Sequence, residues 1–407
     1  MNGNVKASPV ENRALTGSNS IIEIITDTMK HNVRQFTMVI ALLAIWAILT
    51  LLTNGTFISF RNLSNLFLQT ATIAILAVGM VLIIVSGHID LSVGSNVGLL
   101  GAIAGVLMAK RGFGTVSTIL IVLAAGLLIG LWQGYWVAYR GVPGFIVTLS
   151  GYMAFRGLCI GVTGGNSIGP MNSSFKVIGQ GYLPKLTGLP FNDTSAILGI
   201  VFILLYIVFD FRKRNTRLKY GFKVLPLHIQ IAKVLLFSAV IALVLSIMVG
   251  YLGIPYAILL LMGIVWLFNF ITTKTTFGRY VYAIGGNKDA ARLSGINIKG
   301  TYMTVFVLMG LLCAIASIVF TARLNAATAA AGVNMELDAI AAAIIGGTST
   351  MGGEGTIIGA IIGALVMSSL DNGMSLLNLD VTYQYVVKGL ILLLAVWLDI
   401  ATRKKGA

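Results

Sequence analysis

The chain has 407 residues, 57% of them hydrophobic and 10% charged, with a mean hydropathy of +0.93 and a formal net charge of +15. This excludes a water-soluble protein, whose surface needs about 25% charged residues, and it excludes disorder, which needs low hydrophobicity. What remains is an all-α, polytopic membrane protein built from apolar runs near the ~20 residues that cross ~30 Å of hydrocarbon.

In chain order, residues 1–35 form a polar segment without an apolar h-region or small-residue cleavage site, so no cleaved signal peptide is expected. Spans are predicted at 36–54, 66–86, 89–109, 116–138, 145–163, 195–211, 230–251, 254–273, 303–322, 338–351, 355–372 and 385–401, about twelve in all. The stretch 338–351 is short enough for a half-helix. The membrane-spanning body therefore covers 36–402, with 274–302 as its longest polar loop after the basic run, and 403–407 is a short tail. With the N-terminus inside, the outer segments hold only Arg61, Lys110, Arg111, Lys176, Lys185 and Arg323, while most of the 28 Lys and Arg lie inside. The positive-inside rule thus places both termini in the cytoplasm. The run FRKRNTRLKYGFK (211–223) reads as an anchor on anionic lipid headgroups and not as a nucleic-acid patch, so no nucleic-acid partner is expected.

Cys159 and Cys313 lie in apolar runs as small packing residues, and His31, His88 and His228 are scattered, so neither a disulfide nor a metal site is expected. The dipeptide Gly-Lys does not occur, which rules out the phosphate loop of an ATPase. No GxSxG, HExxH or paired-carboxylate motif stands out either, and the chain is read as a non-enzyme. Nor does any aromatic-and-amide cluster stand out as a sugar pocket.

Charges inside a membrane are costly and mark function or careful pairing. Asp90, in SGHIDLSVGS (86–95), stands at a span start, where it either caps the helix or belongs to a substrate route, with Ser92 and Gly94 beside it. Glu336 and Asp338 stand likewise before the short tenth span and read as caps. Arg156 and Lys388 are expected to meet backbone carbonyls or snorkel, with no acidic partners at mid-depth. GGTSTMGGEG (346–355) sits between two apolar runs and reads as a broken segment, so Asp338, Gly346, Gly347, Gly352 and Gly353 join Asp90, Ser92 and Gly94 as candidate pathway or helix-break residues. Gly126, Gly130 and Gly134 give one span a small face for close helix packing, as do Gly94, Gly98, Gly101 and Gly105 on another and Gly355, Gly359 and Gly363 on a third. Residues 94–108 also align with 352–366, either by chance in a Gly/Ala/Ile-rich chain or as an internal repeat of the kind that frames a transport pathway.

Within 274–302, Asn287 is placed to cap a short helix KDAARLSG, with Asp289 near its positive end, Arg292 further along and Gly295 to end it. Ala290, Ala291 and Leu293 offer small and apolar contacts. Such a helix on the inner face is either an ordinary surface helix or a docking element for a soluble partner.

This loop resembles the coupling loop of the permeases of bacterial ATP-binding-cassette sugar importers, in the ribose/xylose/galactose branch. GHIDLSVGS (87–95), FIVTLSGYMAFRG (145–157), ELDAIAAAIIGGTSTMGGEGT (336–356) and SLDNGMS (369–375) match in the same order, from about residue 36 to 402. Within the branch the chain is most similar to the xylose permeases, whose additional hairpin would correspond to about 195–251; His88 departs from the pattern. The resemblance implies an inner-membrane homodimeric permease that moves a monosaccharide by alternating access. It also implies a cytoplasmic ATPase subunit carrying ATP and Mg, and a periplasmic sugar-binding protein. Coupling would then fall to Gly286, Asn287, Asp289, Ala290, Ala291, Arg292, Ser294 and Gly295. The rival reading is an ion- or proton-coupled secondary sugar transporter, which would need an acidic relay in the membrane.

Overall fold

The computed structural model describes residues 33–222 and 224–403; residues 1–32 of the expected N-terminal segment, Lys223 of the basic run and 404–407 of the tail lie outside the described residues. Among the described residues the fold is helical, with two isolated bridges and no strand. The first five helices are α1 (Val33–Leu52), α2 (Phe60–Val85), α3 (Val93–Gly105, widening into a π turn at Val106–Lys110), α4 (Thr115–Ala138) and α5 (Gly144–Thr163). A short α6 (Ser173–Gln180) follows, then a hairpin of α7 (Asp193–Lys219) and α8 (Leu227–Val249), and α9 (Tyr256–Lys274). The rest comprises α10 (Thr276–Gly286), α11 (Lys288–Leu293), α12 (Ile298–Leu324), α13 (Met335–Ile345), α14 (Ile357–Leu376) and α15 (Val381–Arg403).

Among the described residues 9 helices are long and apolar enough to cross a membrane. The predicted 338–351 span is the 11-residue α13 followed by a loop. At 1.5 Å per residue it covers ~16 Å, about half the hydrocarbon. The predicted loop 212–229 also changes: α7 continues to Lys219, so most of the basic run forms its last turns.

Burial does not follow apolarity. The apolar window of α2 is 94% buried inside the chain, whereas those of α7 and α8 are 11% and 17% buried although equally apolar. In lipid, apolar side chains gain nothing by leaving the tails, so close packing decides which helices go inside. The main neighbours of α2 are α12, α14, α13 and α9, with α8 and α10 touching it more lightly. The long helix α12 lies along the small face of α4: a Cβ at Gly130 would stand 2.6 Å from the Phe306 carbonyl oxygen, and one at Gly126 2.6 Å from that of Gly310. The helix packing expected of Gly126, Gly130 and Gly134 is present.

The glycine face of α3 serves a different neighbour as well. Gly101 meets Thr321 and Ser317 of α12, but Gly94, Gly98 and Gly105 face Gly332, Ala331 and Ala327. These belong to the non-helical stretch 325–334, which runs antiparallel to α3 into the bundle before α13 begins. Only glycines admit a bare backbone so closely. Gly359 and Gly363 pack α14 onto α13, where a Cβ would collide with the carbonyl oxygens of Gly346 and Ala342, whereas Gly355 lies in the preceding loop. In the proposed repeat, Ile357 at the start of α14 aligns with Leu99, well inside α3, so the two helices do not begin in the aligned register.

Candidate functional site

Two interruptions of the bundle carry the candidate residues. In the first, 86–92, the Asp90 carboxylate accepts from the Ser92 backbone N–H (2.8 Å) and hydroxyl (2.7 Å). The Ser92 hydroxyl in turn accepts from Asn96 Nδ2 (3.0 Å) and Gln133 Nε2 (2.6 Å). Asp90 is 0% exposed. The expected helix cap is corrected: Ser92 occupies the N-cap position of α3, and Asp90 turns the chain just before it. The remaining oxygens of Asp90, Asn96 and Gln133 are buried with no partner among the described residues. A buried polar network left part-satisfied is costly, so this one marks a place where the bundle keeps polar capacity in its interior.

His88 sits in the same interruption, edge-on to Tyr302 (4.5 Å between ring centres) and against Gly144. Lys288 of α11 lies over the same Tyr302 ring, 5.7 Å from its centre. Burial, and secondarily the Lys288 charge, lowers the His88 pKa from 6.5 to about 4. The unfolded chain therefore takes up a proton below pH 6.5 that the folded chain refuses until about pH 4. Stability from this site is unaffected above that window and falls as the pH drops through it. His88→Gln is expected to flatten the loss of thermal midpoint between pH 6.5 and 4; parallel curves for variant and wild type would assign the acid sensitivity elsewhere.

The second interruption, 346–356, contains Gly346, Gly347, Gly352 and Gly353. Its floor is the end of α2, where the Gly353 N–H donates to the Val85 carbonyl (2.9 Å). One wall is α10: the Tyr282 hydroxyl donates to the Gly355 carbonyl (2.7 Å), and a Cβ at Gly285 would collide with the Val85 oxygen and stand 2.6 Å from the Gly353 nitrogen. The C-terminal end of α15 closes it, Asp399 accepting from Thr350. The loop predicted for coupling is thus bonded to the helix break itself.

Within the loop predicted for coupling, the capped helix forms where it is expected. Asn287 caps α11, its Oδ1 accepting from the Ala290 N–H (2.9 Å), and Gly295 ends it at φ +79°. Asp289 and Arg292 form an exposed pair at 3.4 Å. One assignment is corrected: Ala291 is 4% exposed and packs inward on Ala138, Ile284 and Tyr302. The residue presented outward is Leu293, 85% exposed. This large apolar side chain stands at the tip of a capped helix, flanked by exposed Asp289, Ala290, Arg292 and Ser294, outside any pocket of its own chain.

Asp338 joins neither interruption. It lies in the first turns of α13 and is not a cap: Lys388 of α15 bridges it (3.0 Å) to Asp371 of α14 (2.9 Å). The expectation that Lys388 lacks acidic partners is overturned. Arg156 does bond backbone carbonyls, those of Ala329 (3.1 Å) and Ala331 (2.7 Å) on the re-entrant stretch. Glu336, buried and expected to cap, faces Gly94 across the same stretch. Sequence reasoning missed Gln133, the one amide of an apolar span, and Asp371, though SLDNGMS drew notice. Both Cys159 and Cys313 are buried thiols.

Residues 62–396 match the family described as branched-chain amino acid transport system / permease component. The chain is 46% identical over 374 residues to the xylose transport system permease protein XylH of Haemophilus influenzae, covering 92% of this chain and 98% of that one. It is 45% identical over 375 residues to the Escherichia coli XylH, covering 92% and 94%. The E. coli ribose import permease protein RbsC is 35% identical over 364 residues, covering 88% and 92%. No solved structure matches the chain.

Proposed function

The chain belongs to the family of branched-chain amino acid transport system permease components, and from that premise we propose that it is the membrane permease of a sugar importer, carrying xylose or a related monosaccharide inward. It works as a homodimer in the bacterial inner membrane, receives sugar from a periplasmic binding protein and is driven by a cytoplasmic ATPase that holds ATP and Mg. Its likeness to two xylose permeases along more than nine-tenths of its length supports the substrate. The single structural observation that carries the mechanism is the backbone contact of Gly285 with Val85 and Gly353. Through it a push on α10 and α11 reaches both the end of α2 and the break before α14. Two discrete packings of such an element are what alternating access requires.

Proteoliposomes containing this chain, the ATPase and the binding protein are expected to take up xylose only with ATP inside; uptake driven by an ion gradient without the ATPase would reject the proposal. In the orientation proposed, both termini, the α7–α8 turn and α10–α11 are cytoplasmic and 164–192 faces outward. A cysteine introduced at Asn172 should react with an impermeant reagent in intact cells, and one at Lys219 should not. The reverse pattern would invert the topology.

A further inference from the structure

We propose that a crevice at the end of the bundle remote from α10 and α11 is a docking site for a neutral sugar on the permease itself. The inference rests on the sugar-permease reading and adds to it a place and a set of residues. The crevice, about 310 Å³, is lined by Asn62, Asn65 and Gln69 on one face of α2, Asn372 on α14, Gln180 and Tyr182 after α6, and Arg323 at the end of α12. It opens near the start of α2, whose other end, Val85, holds Gly285 of α10.

Its chemistry is selective. The wall is rich in side-chain amides, which both donate and accept, as sugar hydroxyls do. No carboxylate lines it, which disfavours a cation or amine. The amides of Asn62 and Asn372 bond each other reciprocally (2.8 and 3.1 Å) and tie α2 to α14 as a fixed rim. One and two turns deeper, neither Asn65 nor Gln69 makes a side-chain hydrogen bond among the described residues. Gln180 spends its Nε2 on the Arg323 carbonyl (2.8 Å), which leaves its oxygen available, and the Arg323 Nε is buried without a partner. The Tyr182 ring supplies the apolar face that a pyranose needs on one side. Polar groups this numerous are not turned to hydrocarbon, so the crevice is a watered mouth. Its lining comes from four separate parts of the sequence, which is why no sugar pocket stands out in the linear chain.

The test is saturation-transfer NMR with xylose at millimolar concentration on the purified full-length chain, paired with xylose uptake by the reconstituted complex. Wild type is expected to transfer saturation to the sugar, and Asn65→Leu and Gln69→Leu each to weaken binding by about five-fold, the worth of one hydrogen bond. The same variants should raise the KM for uptake while leaving sugar-free ATPase activity unchanged. Asn166→Leu, an exposed amide outside the crevice, should do neither. Gln180→Ala, at the exposed rim, repeats the test without touching α2. If these crevice variants bind and transport as wild type does, or if wild type shows no transfer while the complex imports xylose, the site is overturned and the permease reading stands. If neither transfer nor import occurs, the permease reading falls and the site with it.

Discussion

Leu293→Glu is expected to abolish xylose uptake while leaving the chain folded in the membrane. Leu293 touches little of its own chain, so its replacement removes no core contact. In the proposed complex it is the apolar anchor that α11 offers the ATPase. Buried interface anchors carry about 2–4 kcal/mol each, and placing a carboxylate in an apolar pocket exceeds the loss of the anchor alone, so association should weaken by ~30-fold or more. Co-purification of the ATPase and ATP-driven uptake would both report it, and wild-type values for both would move the docking surface away from α11. The neighbouring Ala291→Trp is expected to fail for a different reason. Its side chain points into the pocket of Ala138, Ile284 and Tyr302, and overpacking such a site costs about 1–3 kcal/mol. Its signature is a lowered thermal midpoint of the isolated chain, which Leu293→Glu should lack.

Lys388→Met is expected to produce the largest loss of stability of any single substitution considered. Lys388 is the cation between Asp338 and Asp371, and the second oxygen of each carboxylate is already buried and unpartnered. Removing the lysine leaves buried Asp338 and half-buried Asp371 without a counter-charge, and breaking a buried pair costs about 3–5 kcal/mol. Thermal unfolding in detergent would show it. The combination of Lys388→Met with Asp338→Asn and Asp371→Asn should recover most of the loss, because a neutral amide costs far less to bury than an unpaired charge. A single variant as stable as wild type would mean that the three groups are not a buried charge cluster. Because Asp338 lies on the half-helix α13, Asp371 on α14 and Lys388 on α15, the cluster also fixes the half-helix to the two helices that follow it.

The sequence by itself determined that the chain lives in a membrane, where most of its helices lie, and that 287–295 is a capped surface helix. These are local properties: an apolar run of sufficient length must satisfy its backbone within itself, and Asn287 closes its cap onto a residue three positions away. Even the half-helix was legible, since its apolar run is too short to cross. What only the tertiary structure decided is everything that depends on a neighbour distant in sequence. Apolarity could not say that α2 is the buried shaft and the α7–α8 hairpin the periphery, because lipid and protein are equally apolar surroundings. The glycines of α3 announced a close approach but not that a non-helical chain, 325–334, would make it. Lys388 looked alone because Asp338 and Asp371 reach it only when α13, α14 and α15 are packed. Ala291 and Leu293 are both apolar and two positions apart; the rotation of one short helix on Ile284 and Tyr302 turned the first inward and left the second for a partner.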